Sequence, residues 1–305
     1  MDLPVEYKQG QFNAKYNIER GSHMKKIILL FLVITGLYLA FTSFSHFSWL
    51  GLGANGKEKA SAERVSRIEV NVSGVETTII QEERDTVEAV LDGKGEVNVK
   101  KNGRTIKVDY KRKWPHWFGG FEKTELSIYI PQDYDKDLDI NLGSGDFDFA
   151  GNEPIKLRDV SLDMSSGDVM LGDLQVREFE LNGASGELFI SSLKAEEADL
   201  EISSGSTIID SLEGKLEAGI ASGELGIKMK KLAAPIDLDV SSGDVQLDLP
   251  DSASFTLDAH YSSGDIHADV PMDQKEVKDN RISGFNKEGK HEIKVDVSSG
   301  DVSIY

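Results

Sequence analysis

The sequence predicts an all-β chain wound as a single-chain β-solenoid, and three observations predict it. A Ser-Ser-Gly-Asp phrase or close variant recurs through the second half, with glycines at Gly145, Gly167, Gly186, Gly205, Gly223, Gly243, Gly264 and Gly300. Their intervals are 22, 19, 19, 18, 20, 21 and 36 residues. A steady period of about 20 marks stacked repeats, each too small to bury an apolar face without its neighbours. On both sides of every glycine, apolar residues alternate with polar ones, a period of two that a helix cannot hold on one stripe.

Residues 1–24 are polar and without periodicity, and are expected to be disordered. Gly21-Ser22-His23-Met24 resembles a tag-cleavage scar, and Met24-Lys25-Lys26 reads as the start of an exported chain. The tract is therefore expected to be a mis-assigned start or a tag remnant. Residues 25–50 are expected to be one transmembrane anchor. Residues 27–44 (IILLFLVITGLYLAFTSF) carry no charge and follow Lys25 and Lys26, which the positive-inside rule places in the cytoplasm. That run nearly crosses the ~30 Å hydrocarbon core of a bilayer. A cleaved signal peptide is the alternative, but the small-residue triplet Ala60-Ser61-Ala62 lies far downstream of the apolar run.

Residues 51–64 are small, charged and non-periodic, and read as a tether. From 65 to 131 strand patterns return without a fixed period, as in Ile68-Val70-Val72 and Leu126-Ile128-Ile130, with a degenerate corner at Val72-Ser73-Gly74-Val75. This stretch is expected to be an irregular β cap shielding the first rung, because an uncovered solenoid end is an open strand edge. Residues 132–305 form the solenoid, in rungs of about 19 residues. Apolar columns stand seven, five and three residues before each glycine and two and four after it, as in Phe179, Leu181, Gly183, Leu188 and Ile190 around Gly186. The glycine lets the chain bend, and the serines and aspartate are expected to bond their own backbone in the turn. Successive rungs should stack in chain order. The charged insertion at 271–291 reads as a solvated loop or a flap over the last rung.

A formal net charge of −19 argues against nucleic-acid binding, which needs a basic face. The absence of cysteine removes disulfides, thiol chemistry and thiolate metal sites. One residue after the glycines stand Asp146, Asp168, Glu187, Glu224, Asp244, Asp265 and Asp301, interrupted by Ser206. Stacked ~4.8 Å apart, such carboxylates repel one another unless screened. That makes calcium the one cofactor to weigh, at Asp146, Asp168, Asp244, Asp265 and Asp301, against a plain turn role for each. The loop Lys111-Arg112-Lys113-Trp114-Pro115-His116-Trp117-Phe118 sets bases beside aromatics. Trp114, Trp117 and Phe118 can contact a membrane surface or a sugar, or pack on the cap.

Polysaccharide-cleaving β-helices need carboxylates converging on one face. The outward column three after the glycines runs Asp148, Met170, Phe189, Ile208, Gly226, Gln246, His267 and Ser303, with no such cluster. His116, His260, His267 and His291 are scattered. The chain is therefore read as non-enzymatic.

With its anchor, acidic all-β second half and terminal Val297-Ser298-Ser299-Gly300-Asp301-Val302-Ser303-Ile304, the chain resembles the LiaG-like proteins. These form part of a broad bacterial group named the putative-adhesin family, marked by repeated Ser-Gly-Asp corners. The resemblance spans roughly residues 25–305 and is specific for architecture rather than activity. It implies a single-pass membrane protein with an extracytoplasmic ectodomain, acting as a binding or scaffold element in the cell-envelope stress response. Cell-wall polymer or an envelope protein would be the partner. A secreted adhesin, a carbohydrate-active β-helix and a regulator of a membrane sensor kinase complex are the alternatives.

Overall fold

The computed structural model describes residues 56–112, 123–151 and 153–305. The expected anchor at 27–44, the tract 1–24 and the loop residues Trp114, Trp117 and Phe118 lie outside the described residues. Among those described, regular structure is strand alone, with 23 strands joined in one hydrogen-bonded network. No helix among them is long and apolar enough to cross a membrane. Asn55–Tyr305 is one compact unit whose core is drawn from its own residues.

Parallel pairing between equivalent positions builds the stack. Arg67–Val72 pairs with Asp137–Leu142, which pairs with Asp159–Met164, which pairs with the second half of Asp168–Gly183. At the corners, the carbonyl of one glycine accepts the N–H that follows the next. Gly167 takes it from Glu187 at 3.0 Å, Gly186 from Ser206 at 2.9 Å and Gly205 from Glu224 at 2.9 Å. The degenerate corner is one of this series, since Gly74 donates to the Ser144 carbonyl and Gly143 to that of Val72, each at 2.8 Å. The corner serines differ from expectation. Ser166 and Ser185 donate their hydroxyls to the carbonyls of Gly143 and Ser165 in the preceding corner, at 3.2 and 2.9 Å, rather than within their own turn. Close stacking makes the neighbouring carbonyl the nearer acceptor.

Burial alternates along each wall and slips where the chain bends. In the strand Asp168–Gly183, residues 169, 171, 172, 174, 176, 179, 181 and 183 are buried. The breaks at 171–172 and 176–179 separate three walls: one after the corner, one opposite it and one before the next corner. The predicted columns fill the interior, with Phe147, Phe149 and Phe179 among the largest fully buried side chains. Tyr261 alone of those columns is half-buried.

Two further departures from the sequence reading lie at the C-terminal end. First, the last two corners stack out of chain order. His291–Val297 pairs with Ile236–Val240 on one side and Phe255–Tyr261 on the other. Asp301–Ile304 likewise sits between Asp244–Asp248 and Asp265–Ala268. The C-terminal rung is thus inserted between the Gly243 and Gly264 rungs, and the corners run Gly74, Gly145, Gly167, Gly186, Gly205, Gly223, Gly243, Gly300, Gly264. These nine, at ~4.8 Å each, give a stack of about 40 Å. Second, of the two alternatives for the insertion at 271–291, the solvated loop is not what forms: it folds as a hairpin against the outermost rung. Arg281–Asn286 pairs antiparallel with the outermost Phe255–Tyr261, and Asp273–Lys278 with Arg281–Asn286. Lys275 Nζ also donates to the Ala268 carbonyl at 2.9 Å, occupying an edge acceptor.

The opposite end is closed in a matching way. Thr105–Lys111 and Glu125–Pro131 extend the stack in parallel, then Glu96–Asn102 and Thr86–Asp92 pair with them antiparallel. Gly56–Ser61, within the expected tether, adds an antiparallel strand on Thr86–Asp92. Its side chains are mostly solvated, so no periodicity betrays it, and backbone pairing recruits it. Antiparallel strands at both ends cover parallel edges, although Asp265–Ala268 is paired by a strand on one side alone among the described residues.

Candidate binding surface

Two walls present ordered columns to solvent. On the wall before the corners, acids are interleaved with bases. Arg67 and Arg158 hold the buried Asp137 carboxylate, Arg158 through Nε at 2.7 Å and Arg67 through Nη2 at 3.3 Å. Arg158 also reaches Asp159 at 3.4 Å, and Arg177 bridges Asp159 at 2.7 Å and Glu178 at 3.0 Å. Further along, Lys215 sits between Glu197 and Glu217 at 2.6 Å each, and Lys294 lies 3.5 Å from Asp237 and 2.8 Å from Asp296. Sequence reading missed this zigzag, because its cross-rung partners, from Lys215 and Glu197 at 18 residues to Arg67 and Asp137 at 70, meet only through the stacking register.

A depression of about 400 Å³ opens in the same wall, where Gly219 stands in line between Glu201 and Asp239 and offers no side chain. Asp199, Glu217 and Asp237 also line it. Burial raises the Asp199 pKa, with Glu217, Glu180 and Glu197 adding to the rise and Lys215 opposing it.

On the wall after the corners the predicted acid column is real. Asp168 pairs in register with Asp146 and Glu187, Asp244 with Glu224 and Asp301, and Asp301 with Asp265. All seven acids are exposed, and the Asp265 N–H donates to Asp301 Oδ1 at 3.3 Å. Burial and then Glu187 push the Asp168 carboxyl up. The calcium candidates Asp146, Asp168, Asp244, Asp265 and Asp301 are thus strung one to a rung. Among the described residues, no group of three or more His, Asp or Glu is arranged to hold a metal ion.

The neighbouring outward column brings Asp148, Met170, Phe189 and Ile208 into one line. Burial lifts the Asp148 carboxyl to about 6, against the N–H of Ala150 and with Glu76 adding to the rise. His260 has acidic company that sequence spacing conceals: its Nδ1 lies 3.6 Å from Asp258 and 3.7 Å from Asp296 of the adjacent rung. Arg281 holds the same Asp258 through two bonds of 2.8 and 2.9 Å.

A family profile described as Toastrack DUF4097 matches residues 65–305, most of the chain. The chain belongs to the Toastrack family. The matched span starts at the strands that lead into the Gly74 corner and runs through the inserted last rung, so the Toastrack unit comprises every corner of the stack. Comparison with curated proteins finds no match. Among solved structures, a putative adhesin from Bacteroides fragilis is 10% identical, with 84% of this chain and 100% of that chain covered and a TM-score of 0.46. A putative adhesin from Parabacteroides merdae is 16% identical, covering 84% and 98%, with a TM-score of 0.46. A protein from Parabacteroides distasonis named a putative lipid binding protein is 14% identical, covering 84% and 98%, with a TM-score of 0.40.

Proposed function

We propose that this Toastrack protein is a membrane-anchored, extracytoplasmic scaffold that binds a partner at the cell envelope and performs no chemistry of its own. The observation that carries the reading is the stack itself. It is a capped solenoid whose backbone bonds are spent holding rungs in register, so that side chains stand in straight columns on its solvent faces. Repeat architectures use such continuous surfaces for recognition, because equivalent positions recur at a fixed spacing along an extended wall.

The uncharged residues 27–44 after Lys25 and Lys26 support the anchor and its orientation. The LiaG-like resemblance supports a place in the cell-envelope stress response, with wall polymer or an envelope protein as partner. Capture with the full chain from solubilised membranes and from wall fractions, with and without calcium, tests the reading. Specific retention of an envelope component is expected, along with the protein itself in the membrane fraction. Recovery in the culture supernatant alone would favour a secreted adhesin, and turnover of a wall polymer by the purified protein would sink the non-enzymatic reading.

A further inference from the structure

The wall after the corners carries three large apolar side chains on its solvent face in consecutive rungs. Met170 lies opposite Phe189, and Phe189 opposite Ile208. Met170 and Phe189 are half-buried, while Ile208 is 43% exposed. The three form a ridge along the stack axis, and it stops at Gly226, the next residue in register, which has no side chain to continue it. Two residues earlier on the same face run Asp168 and Glu187, both exposed. No ion pair involves either one among the described residues, whereas Asp137, Asp159, Glu197 and Asp237 on the opposite flank of the corner are held by Arg67, Arg158, Arg177, Lys215 and Lys294. Apolar ridge and unneutralised acid row therefore share one face.

That combination selects among occupants. A second copy of the chain would bring its own acid row, and a net charge of −19, against this one. An anionic lipid surface is repelled for the same reason. A neutral ligand would leave carboxylates facing it without counter-charge. A cationic partner with an apolar stripe satisfies both features at once. Spacing then selects its conformation. Rungs repeat every ~4.8 Å, same-face residues of a strand every ~6.8 Å, and turns of an α-helix every ~5.4 Å. Over three rungs a helix stays nearly in step, whereas a strand falls out of step by about 4 Å.

We propose that the Met170–Phe189–Ile208 ridge and the adjoining Asp168 and Glu187 carboxylates form a docking face for a cationic amphipathic helix of a partner protein, laid along the stack axis. The proposal rests on the reading of the protein as a binding scaffold and names its partner's chemistry. The helix seats apolar side chains at i, i+3 and i+7 on the ridge, with lysines or arginines on one flank reaching the acid row.

The test uses residues 55–305, which form a compact unit with its own core, and a fluorescein-labelled Leu/Lys peptide of about 18 residues that folds as an amphipathic helix. A permuted peptide of identical composition without an apolar face is the control. Fluorescence anisotropy at about physiological ionic strength should show the helical peptide binding at least about tenfold more tightly than the control. Ile208→Ser should weaken it by about tenfold, and Asp168→Asn with Glu187→Gln should weaken it and flatten its salt dependence. Glu217→Gln with Asp237→Asn, on the other acidic wall, should leave it unchanged. Equal binding of the permuted peptide, or an equal loss from the Glu217/Asp237 pair, would reduce the interaction to bulk charge and overturn the proposal. Self-association that disappears in Ile208→Ser would reassign the ridge to a homotypic contact. An envelope component captured equally by wild type and Ile208→Ser would leave the scaffold role standing and overturn this face alone.

Discussion

A methyl group at Gly186 has nowhere to go. The residue has φ of +103°, and a Cβ there would lie inside the contact distance of the Gly167 carbonyl oxygen, the acceptor that joins the two corners. Gly243 has no such φ, yet its Cβ would lie 2.5 Å from the Gly223 oxygen. Early corners thus need glycine for conformation and space together, later ones for space. Gly186→Ala is expected to cost about 2–4 kcal/mol in urea unfolding, the sum of left-handed strain and overpacking. Ser185→Ala, which loses one bond to the Ser165 carbonyl, should cost about 1 kcal/mol. A neutral Gly186→Ala would show that close corner contact is not what selects glycine. Asp148 offers a second residue-scale check. Its carboxyl is raised by burial to about 6 from an unfolded value of 3.8. The folded state therefore binds the extra proton between those values, so this group's contribution is fully present below about pH 4 and lost as pH rises through about 6. Asp148→Asn should stabilise the fold by about 1–2 kcal/mol at pH near 7.5, after discounting for partial exposure, and leave it unchanged near pH 4. Denaturation midpoints that shift equally at both pH values would refute the assignment.

At the scale of the element, the inserted rung makes the C-terminus a keystone. Phe255–Tyr261 and Asp265–Ala268 reach the rest of the stack through His291–Val297 and Asp301–Ile304. Ending residues 55–305 at residue 290 should therefore release strands that remain in the chain. Hydrogen exchange is expected to show 255–268 unprotected while Asp168–Gly183 keeps its protection. Serial stacking would leave 255–268 protected, so that outcome contradicts the observed order. This is also where sequence reading ran out. The strand columns were legible because Phe179, Leu181 and their equivalents must face inward at fixed offsets from each glycine. Which rung neighbours which was not, because every rung offers the same Leu, Ile and Val columns to a neighbour, and local pattern fits one slot as well as another. The 36-residue interval before Gly300 was the available signal: a chain that moves out one rung spacing, folds a hairpin and returns needs that length. The acid column was legible for the same reason as the core. The Arg67, Arg158 and Arg177 zigzag and the His260–Asp296 approach were not, since side-chain partners in adjacent rungs are set by register rather than by spacing.

For the molecule as a whole, charge is distributed unequally between the two walls, and this has a measurable consequence. The wall before the corners offsets Asp137, Asp159, Glu197, Glu217 and Asp237 with bases, whereas the wall after them stacks Glu224, Asp244, Asp301 and Asp265 in register with no ion pair among the described residues. Two unit charges 4.8 Å apart in water repel by about 0.9 kcal/mol before salt screening, and the low-dielectric protein beneath them increases this. Asp244 has such a neighbour on each side. Removing its charge relieves two repulsions, while its backbone N–H still bonds the Gly223 carbonyl at 2.8 Å. Asp244→Asn should therefore raise the stability of residues 55–305 by about 1 kcal/mol at about 10 mM salt and by much less at about 1 M, where the Debye length of ~3 Å is shorter than the rung spacing. Wild-type protein should gain stability over the same range, and calcium should act no differently from magnesium at matched ionic strength. A calcium-specific rise in melting temperature that Asp244→Asn abolishes would instead make the column a metal site. A gain from Asp244→Asn that persists undiminished at high salt would show that repulsion along the stack is not its cause.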